Sequence, residues 1–289
     1  MPTKIEKDAI TGTDTTGHEW DGLKELNTPL PSWWLYTFYA CCVFALVWVV
    51  LYPAIPVQGW TGITGWTARG AINGEMETAR ARTEPMLARL RSATPEQIAA
   101  NPELRAYAIA GGRAVFANNC AACHGAGGQG ARGGYPSLAD DEWIWGGDLT
   151  AIHRTITHGI RNQDSDEARV SMMPRFGVDG VLTRAQITDV AEHVLGLGNR
   201  STDAAMAVRG APLYAENCAS CHGERGEGNT DVGAPNLSDR VWLHASDRAG
   251  IAAYIANPQM GVMPAFAQRL DPALVNMLAV YVHSLGGGR

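Results

Sequence analysis

The pentapeptide Cys120-Ala-Ala-Cys123-His124 returns as Cys218-Ala-Ser-Cys221-His222, and no other feature constrains the chain as strongly. Two cysteines three apart share one face of a helical segment, so both thiols can reach a porphyrin vinyl group and form thioethers. The adjacent histidine then lies under the iron as proximal ligand. Two covalently bound haem c groups are therefore expected, attached through Cys120, Cys123, Cys218 and Cys221 and ligated by His124 and His222. A zinc ribbon places its two knuckles about 15–20 residues apart, whereas 94 residues separate Cys123 from Cys218. A thioredoxin-like dithiol needs one such motif beside a strand-helix unit and has no use for a second copy ending in histidine.

From Trp33 to Tyr52 the chain reads WWLYTFYACCVFALVWVVLY, twenty residues without a charge. That length spans a hydrocarbon core of about 30 Å. Trp33, Trp34 and Tyr36 at one end and Trp48, Tyr52 and Trp60 near the other supply interfacial aromatic belts, and Pro53 and Pro56 oppose continuation of the helix. Thirty-two residues precede the run and no small-residue cleavage site follows it, which argues against a signal peptide. Cys41 and Cys42, inside the run, read as small hydrophobes. The flanking charges, Lys24 before and Arg69 after, leave orientation undecided. Covalent haem attachment resembles a process completed outside the cytoplasm, which puts the haem domains on that side.

Aligned on the haem cysteines, the chain is an internal repeat. Gly112-x-x-x-Phe116-x-x-x-Cys120 matches Gly210-x-x-x-Tyr214-x-x-x-Cys218, Pro136-Ser137-Leu138 matches Pro235-Asn236-Leu237, and Met173-Pro174-Arg175-Phe176 matches Met263-Pro264-Ala265-Phe266. The repeats close on AEHVLGLG and AVYVHSLG. Thr183 with Gln186 forms a capping box and Asp271-Pro272 an N-cap followed by a helix-starting proline, so both final helices have defined starts. Gly196 and Gly286 mark their ends. Gly112 and Gly210 permit a close crossing of first and last helices. The expected fold is all-α: a cytoplasmic segment 1–32, a transmembrane helix 33–57, a solvated helical connector 58–110, and two tandem class I-like cytochrome c domains at 111–199 and 200–289.

The ligand opposite each histidine separates an electron carrier from a haem enzyme, because an open iron binds small molecules. Met173 and Met263 are the expected sixth ligands; each precedes a proline, whose fixed φ can hold a loop tip towards a metal. Met172 and Met260 lack the shared register, and His153, His158, His193, His244 and His283 do not align between repeats. Spacing is compatible with each methionine serving the haem of its own repeat or of the other. Pro136 and Pro235 are expected to offer a carbonyl to the second nitrogen of each proximal histidine. No residue is expected to be catalytic within this chain.

The whole arrangement resembles the dihaem subunit, subunit III, of the cbb3-type cytochrome c oxidases, the C family of haem-copper oxidases. The likeness extends to His18-Glu19-Trp20-Asp21-Gly22-Leu23-Lys24-Glu25-Leu26-Asn27, to Pro29-Leu30-Pro31 with Trp33-Trp34, and to Gly70-Ala71-Ile72-Asn73-Gly74-Glu75. The resemblance implies a bacterial inner-membrane protein with periplasmic haems. It would take electrons from a soluble or membrane donor cytochrome c and pass them to a monohaem cytochrome c subunit and a haem-copper catalytic subunit that reduces oxygen and pumps protons. Nucleic acid is not an expected partner. Residues 111–289 carry 14 arginines and 18 acidic side chains, a balance suited to steering a basic donor. An anchored dihaem shuttle or dehydrogenase cytochrome subunit is the alternative, and it leaves the His18–Asn27 stretch unexplained. A dihaem peroxidase or gas sensor would need an uncapped iron.

Overall fold

A computed structural model of the 289-residue chain describes residues 4–53, 59–131 and 133–287. Two compact units divide it, Met1–Arg82 and Thr83–Arg289. In the first unit β1 (Thr15–Trp20) and β2 (Leu23–Leu26) form an antiparallel hairpin with Trp20 opposite Leu23. The two-residue turn between them, Asp21-Gly22, has φ of 49° and 83°. Both values suit a primed turn, whose twist matches that of the strands, and an Asp-Gly pair is the usual sequence for it. The hairpin was not anticipated from sequence, although this dipeptide was its signal.

Helix α1 (Ser32–Leu51) carries the apolar run and buries none of its residues within the protein. It is long and apolar enough to cross a membrane. Its last carbonyls are taken up by the returning chain: Ile63 N–H donates to Val50 O (3.1 Å) and the Thr64 hydroxyl to Leu51 O (2.7 Å), satisfying acceptors that a helix end otherwise exposes. The helix expected to reach 57 ends at Leu51, with Tyr52 extended (φ −123°, ψ 161°); Pro56 lies outside the described residues.

Helix α2 (Ala68–Ser92) crosses the boundary between the units, followed by α3 (Pro95–Ala100), α4 (Pro102–Asn119) and the single turn α5 (Ala121–His124). Thr94 makes a capping box with Gln97, and Asn101 caps α4 through Glu103 and Leu104 N–H. The connector is not simply solvated at this end. Leu90 and Ile98 are fully buried and pack with Ala108 against Ala273, Met277 and Val280. Helix α4 also begins at 102 rather than at the repeat boundary expected at 111.

The remaining helices are α6 (Leu149–His158), α7 (Arg184–Leu197), α8 (Ala204–Asn217), the turn α9 (Ala219–His222), α10 (Arg248–Ala256) and α11 (Pro272–His283). Their packing crosses the linear repeats. Phe116, Ile152 and Ile156 of the first repeat share a core with Phe266, Val275, Leu278, Ala279, Tyr281 and Val282 of the second. A second core joins Phe176, Ile187, Val190, Val194 and Leu195 of the first repeat to Tyr214, Cys218, Ile251 and Ile255 of the second. The final helix of each repeat thus closes on the first helix of the other. Gly112 and Gly210 do allow the expected close crossings, but with exchanged partners. A Cβ on Gly112 would stand 2.6 Å from Met277 O on α11, and one on Gly210 would stand 2.1 Å from Asp189 O on α7.

Chain connectivity explains the exchange. Only residues 198–203 link α7 to α8, whereas 159–183 link α6 to α7, and a short link leaves two helices little choice but to pack as an antiparallel pair. Glu192 holds that corner. Its buried carboxylate accepts from the Ser201 hydroxyl (2.9 Å), from Asp203 N–H (2.7 Å) and from Thr202 N–H, with Arg248 3.5 Å from its other oxygen. Once α7 is committed to α8, α4 is covered by α11. The starts of α7 and α11 are those expected from Thr183 and Asp271-Pro272; α7 ends on Gly198 rather than Gly196, and α11 on Ser284.

Candidate functional sites: two haem-attachment turns and two methionine loops

Cys120 caps a turn in which Cys123 N–H and His124 N–H both donate to Cys120 O (3.1 and 2.9 Å); Cys218 does the same for Cys221 and His222 (3.1 and 2.9 Å). The turn gathers two thiols and an imidazole on one short segment at the end of α4 or α8. None of the four cysteines is paired in a disulfide. Cys120 and Cys218 pack into their cores, and burial pushes each thiol up to about 11.

The chain next folds back under each histidine. Gly130 N–H donates to His124 O (2.7 Å) and Gly228 N–H to His222 O (2.8 Å). Both glycines have positive φ, and a Cβ would fall 2.6 Å from Tyr135 O or 2.7 Å from Asn236 N, so no side chain fits either turn. These loops present Pro136 O to His124 Nδ1 and Pro235 O to His222 Nδ1, each at 3.0 Å, as the sequence suggested. A carbonyl only accepts, so Nδ1 carries the proton and Nε2 keeps its lone pair for a metal. Burial holds both imidazoles below the ordinary histidine range, against the opposing effect of these hydrogen bonds. In the second site the Tyr214 hydroxyl also donates to Gly223 O (2.8 Å).

Each methionine loop is brought to the attachment turn of the opposite repeat. Met263 packs in the core that holds Phe116, Cys120 and Ala121; Met173 packs with Tyr214, Cys218 and Ala219. Backbone pairing fixes the first of these, since Ile160 N–H donates to Met263 O and Met263 N–H to Ile160 O, both at 2.9 Å. Asn162 Nδ2 donates to the same Met263 carbonyl (2.9 Å). The competing thioethers are differently occupied: Met172 is 70% exposed, and Met260 Sδ accepts from Met173 N–H (3.2 Å). His158 is engaged by Ser165 and Glu167, while His193 packs at a tilt against Tyr214 and His244 stacks on Tyr254. Sequence reasoning missed Ile160, Arg161 and Asn162, whose partners in the Met263 loop lie about a hundred residues away and leave no local signal.

This donor set fits covalent haem: unpaired thiols one turn apart, an imidazole with a fixed tautomer, and a thioether in the same core. The molecule is thus a c-type cytochrome with two haem domains behind an apolar N-terminal helix. Comparison with known proteins agrees along the chain. Residues 12–58 match the N-terminal domain of cytochrome oxidase-cbb3, FixP; residues 109–198 match cytochrome c; and residues 205–282 match cytochrome c oxidase, cbb3-type, subunit III. The cbb3-type cytochrome c oxidase subunit CcoP of Azospirillum brasilense is 50% identical, with 98% of this chain and 99% of the relative aligned. The CcoP subunit of Cereibacter sphaeroides is 48% identical over all of both chains, and the FixP subunit of Azorhizobium caulinodans 47% identical over 98% and 96%. The chain belongs to the CcoP/FixP family, subunit III of the cbb3-type oxidases. It is a membrane-anchored electron-transfer subunit of that complex with two covalent haem c groups.

Proposed function

We propose that each haem is held by residues of both repeats: His124 with Met263 on the haem of Cys120 and Cys123, and His222 with Met173 on the haem of Cys218 and Cys221. The observation that carries this pairing is the two-way backbone hydrogen bonding of Met263 to Ile160, within the core that also contains Cys120. When bound, haem c supplies a one-electron couple, and histidine-methionine ligation sets it towards high potential. The protein's part is to hold the imidazole tautomer through Pro136 and Pro235 and to surround the thioethers with apolar side chains. With His and Met as its two protein ligands, neither iron would keep an open position for substrate. This favours electron transfer over peroxidase or gas-sensing chemistry.

The haem-bearing unit lies on the periplasmic side of the bacterial inner membrane, with α1 as anchor and the β1–β2 hairpin on the cytoplasmic side. Electrons arrive from a donor cytochrome c and leave for a monohaem subunit and a haem-copper subunit that reduces oxygen. The test is purification from membranes in mild detergent. The chain should co-migrate, with haem stain resistant to denaturation, with a multi-span haem-copper subunit and with oxygen uptake driven by reduced cytochrome c. Recovery of an active dihaem chain joined only to a dehydrogenase would replace this reading with the anchored shuttle.

A further inference from the structure

Between the two methionine loops lies one side chain that touches both. Arg161 has a left-handed backbone conformation, φ 49°, uncommon for a residue with a Cβ and stabilised only where the surroundings demand it. Its Nε donates to Gly261 O (2.8 Å) and its Nη1 to Ser171 O (3.0 Å). These carbonyls are equivalent: each lies two residues before the methionine of its loop, Gly261 before Met263 and Ser171 before Met173. The neighbours of Arg161 reinforce the connection, Ile160 by pairing with Met263 and Asn162 by bonding its carbonyl. The loops also touch directly through Met173 N–H and Met260 Sδ.

The guanidinium is half-buried, stands 6.0 Å from the ring centre of Trp145, and has no carboxylate within ion-pairing distance among the described residues. Arg169 lies on the same ring at 5.2 Å and is occupied by Trp145 O and the Thr155 hydroxyl. A planar fork that spends two donors on two carbonyls is a rigid spacer, and lysine cannot reproduce it. Half-burying a cation with no carboxylate partner is costly, and here its hydrogen bonds to the two loop carbonyls offset part of that cost.

We propose that Arg161 is a positioning residue shared by the two methionine loops, so that one guanidinium holds both thioether ligands in place and couples ligation at one haem to ligation at the other. The proposal rests on Met173 and Met263 being the axial ligands. With haem bound, its fixed positive charge beside both ligand loops would disfavour the ferric state and raise both reduction potentials.

The test uses the full haem-loaded chain in detergent, with Arg161→Gln and Arg161→Lys. In Arg161→Gln both potentials should fall, the far-red ferric band from methionine sulfur should weaken at both haems, and carbon monoxide binding should rise from near zero towards about two per chain. Arg161→Lys should keep both potentials nearer the native values while leaving the sulfur band weakened, because it returns the charge without the fork. A change confined to one haem, or none in either variant with native helical content, overturns the proposal. Met173→Ala and Met263→Ala separate the two readings, since each should remove about half of the far-red band. If either keeps the whole band, the axial assignment has failed; if both lose it while the Arg161 variants behave as native, only the role of Arg161 has failed.

Discussion

Met263 is the residue at which the exchanged ligand sets are most directly checked. Met263→Ala should open one haem to carbon monoxide, and the opened haem should be the one on Cys120 and Cys123. Its paramagnetic shifts would then change at Phe116 and Ala121 amides while those around Tyr214 stay put. Shifts moving at Tyr214 instead would restore ligation within each linear repeat. Glu192 tests the corner that commits α7 to α8. Burial opposes its ionisation, but the N–H groups of Asp203 and Thr202 and the hydroxyls of Ser201 and Thr202 outweigh that and hold its carboxyl below the usual carboxylate range. A depressed native pKa stabilises above the unfolded value of about 4.3, and the benefit disappears as pH falls through the native value. Glu192→Gln should therefore destabilise by about 1–3 kcal/mol at neutral pH, and the gap from the parent chain should close below about pH 4. Thermal unfolding across pH measures both.

At the scale of elements, α11 carries the largest share of buried apolar side chains. Val275, Met277, Leu278, Val280, Tyr281 and Val282 are each under a tenth exposed, and burial of such side chains stabilises by about 1.5–3 kcal/mol apiece. Gly112 is where α4 admits this helix. Gly112→Ala forces Met277 O or the Tyr281 Cβ aside, with an expected cost of about 1–3 kcal/mol. Because α11 belongs to the body that holds Cys120, the variant should disturb the first haem's absorption more than the second's. An equal disturbance of both would argue against separate bodies. The helices themselves were legible in sequence, from the capping box at Thr183 to the Asp271-Pro272 start, because caps are chemistry within four residues. The hairpin of β1 and β2 is equally local, its turn set by the Asp21-Gly22 pair at positive φ.

At the scale of the whole molecule, the exchange of closing helices means that a cut at 199/200 separates the sequence repeats but not two foldable bodies. Residues 83–199 and 200–289 produced apart should each fail to give a cooperative unfolding transition, while co-expression should restore one. Two independently stable halves would refute the exchange. The acidic balance of residues 111–289 belongs to this scale as well. Reduction by a basic donor cytochrome should slow as salt is added; a rate that stays flat or rises would remove the steering role.

The two C-x-x-C-H turns, the apolar N-terminal helix and the two Met-Pro loops could all be read from the chain because each depends on residues a few positions apart, where covalent geometry leaves few options. Which loop meets which attachment turn could not, since both repeats carry the same apolar spacing and either pairing would bury the same side chains. Packing settled it: the six-residue link after α7 and the Glu192 clamp made one pairing of helices far closer than the other. Arg161 was invisible for the same reason, its two carbonyl partners becoming neighbours only after the helices had exchanged.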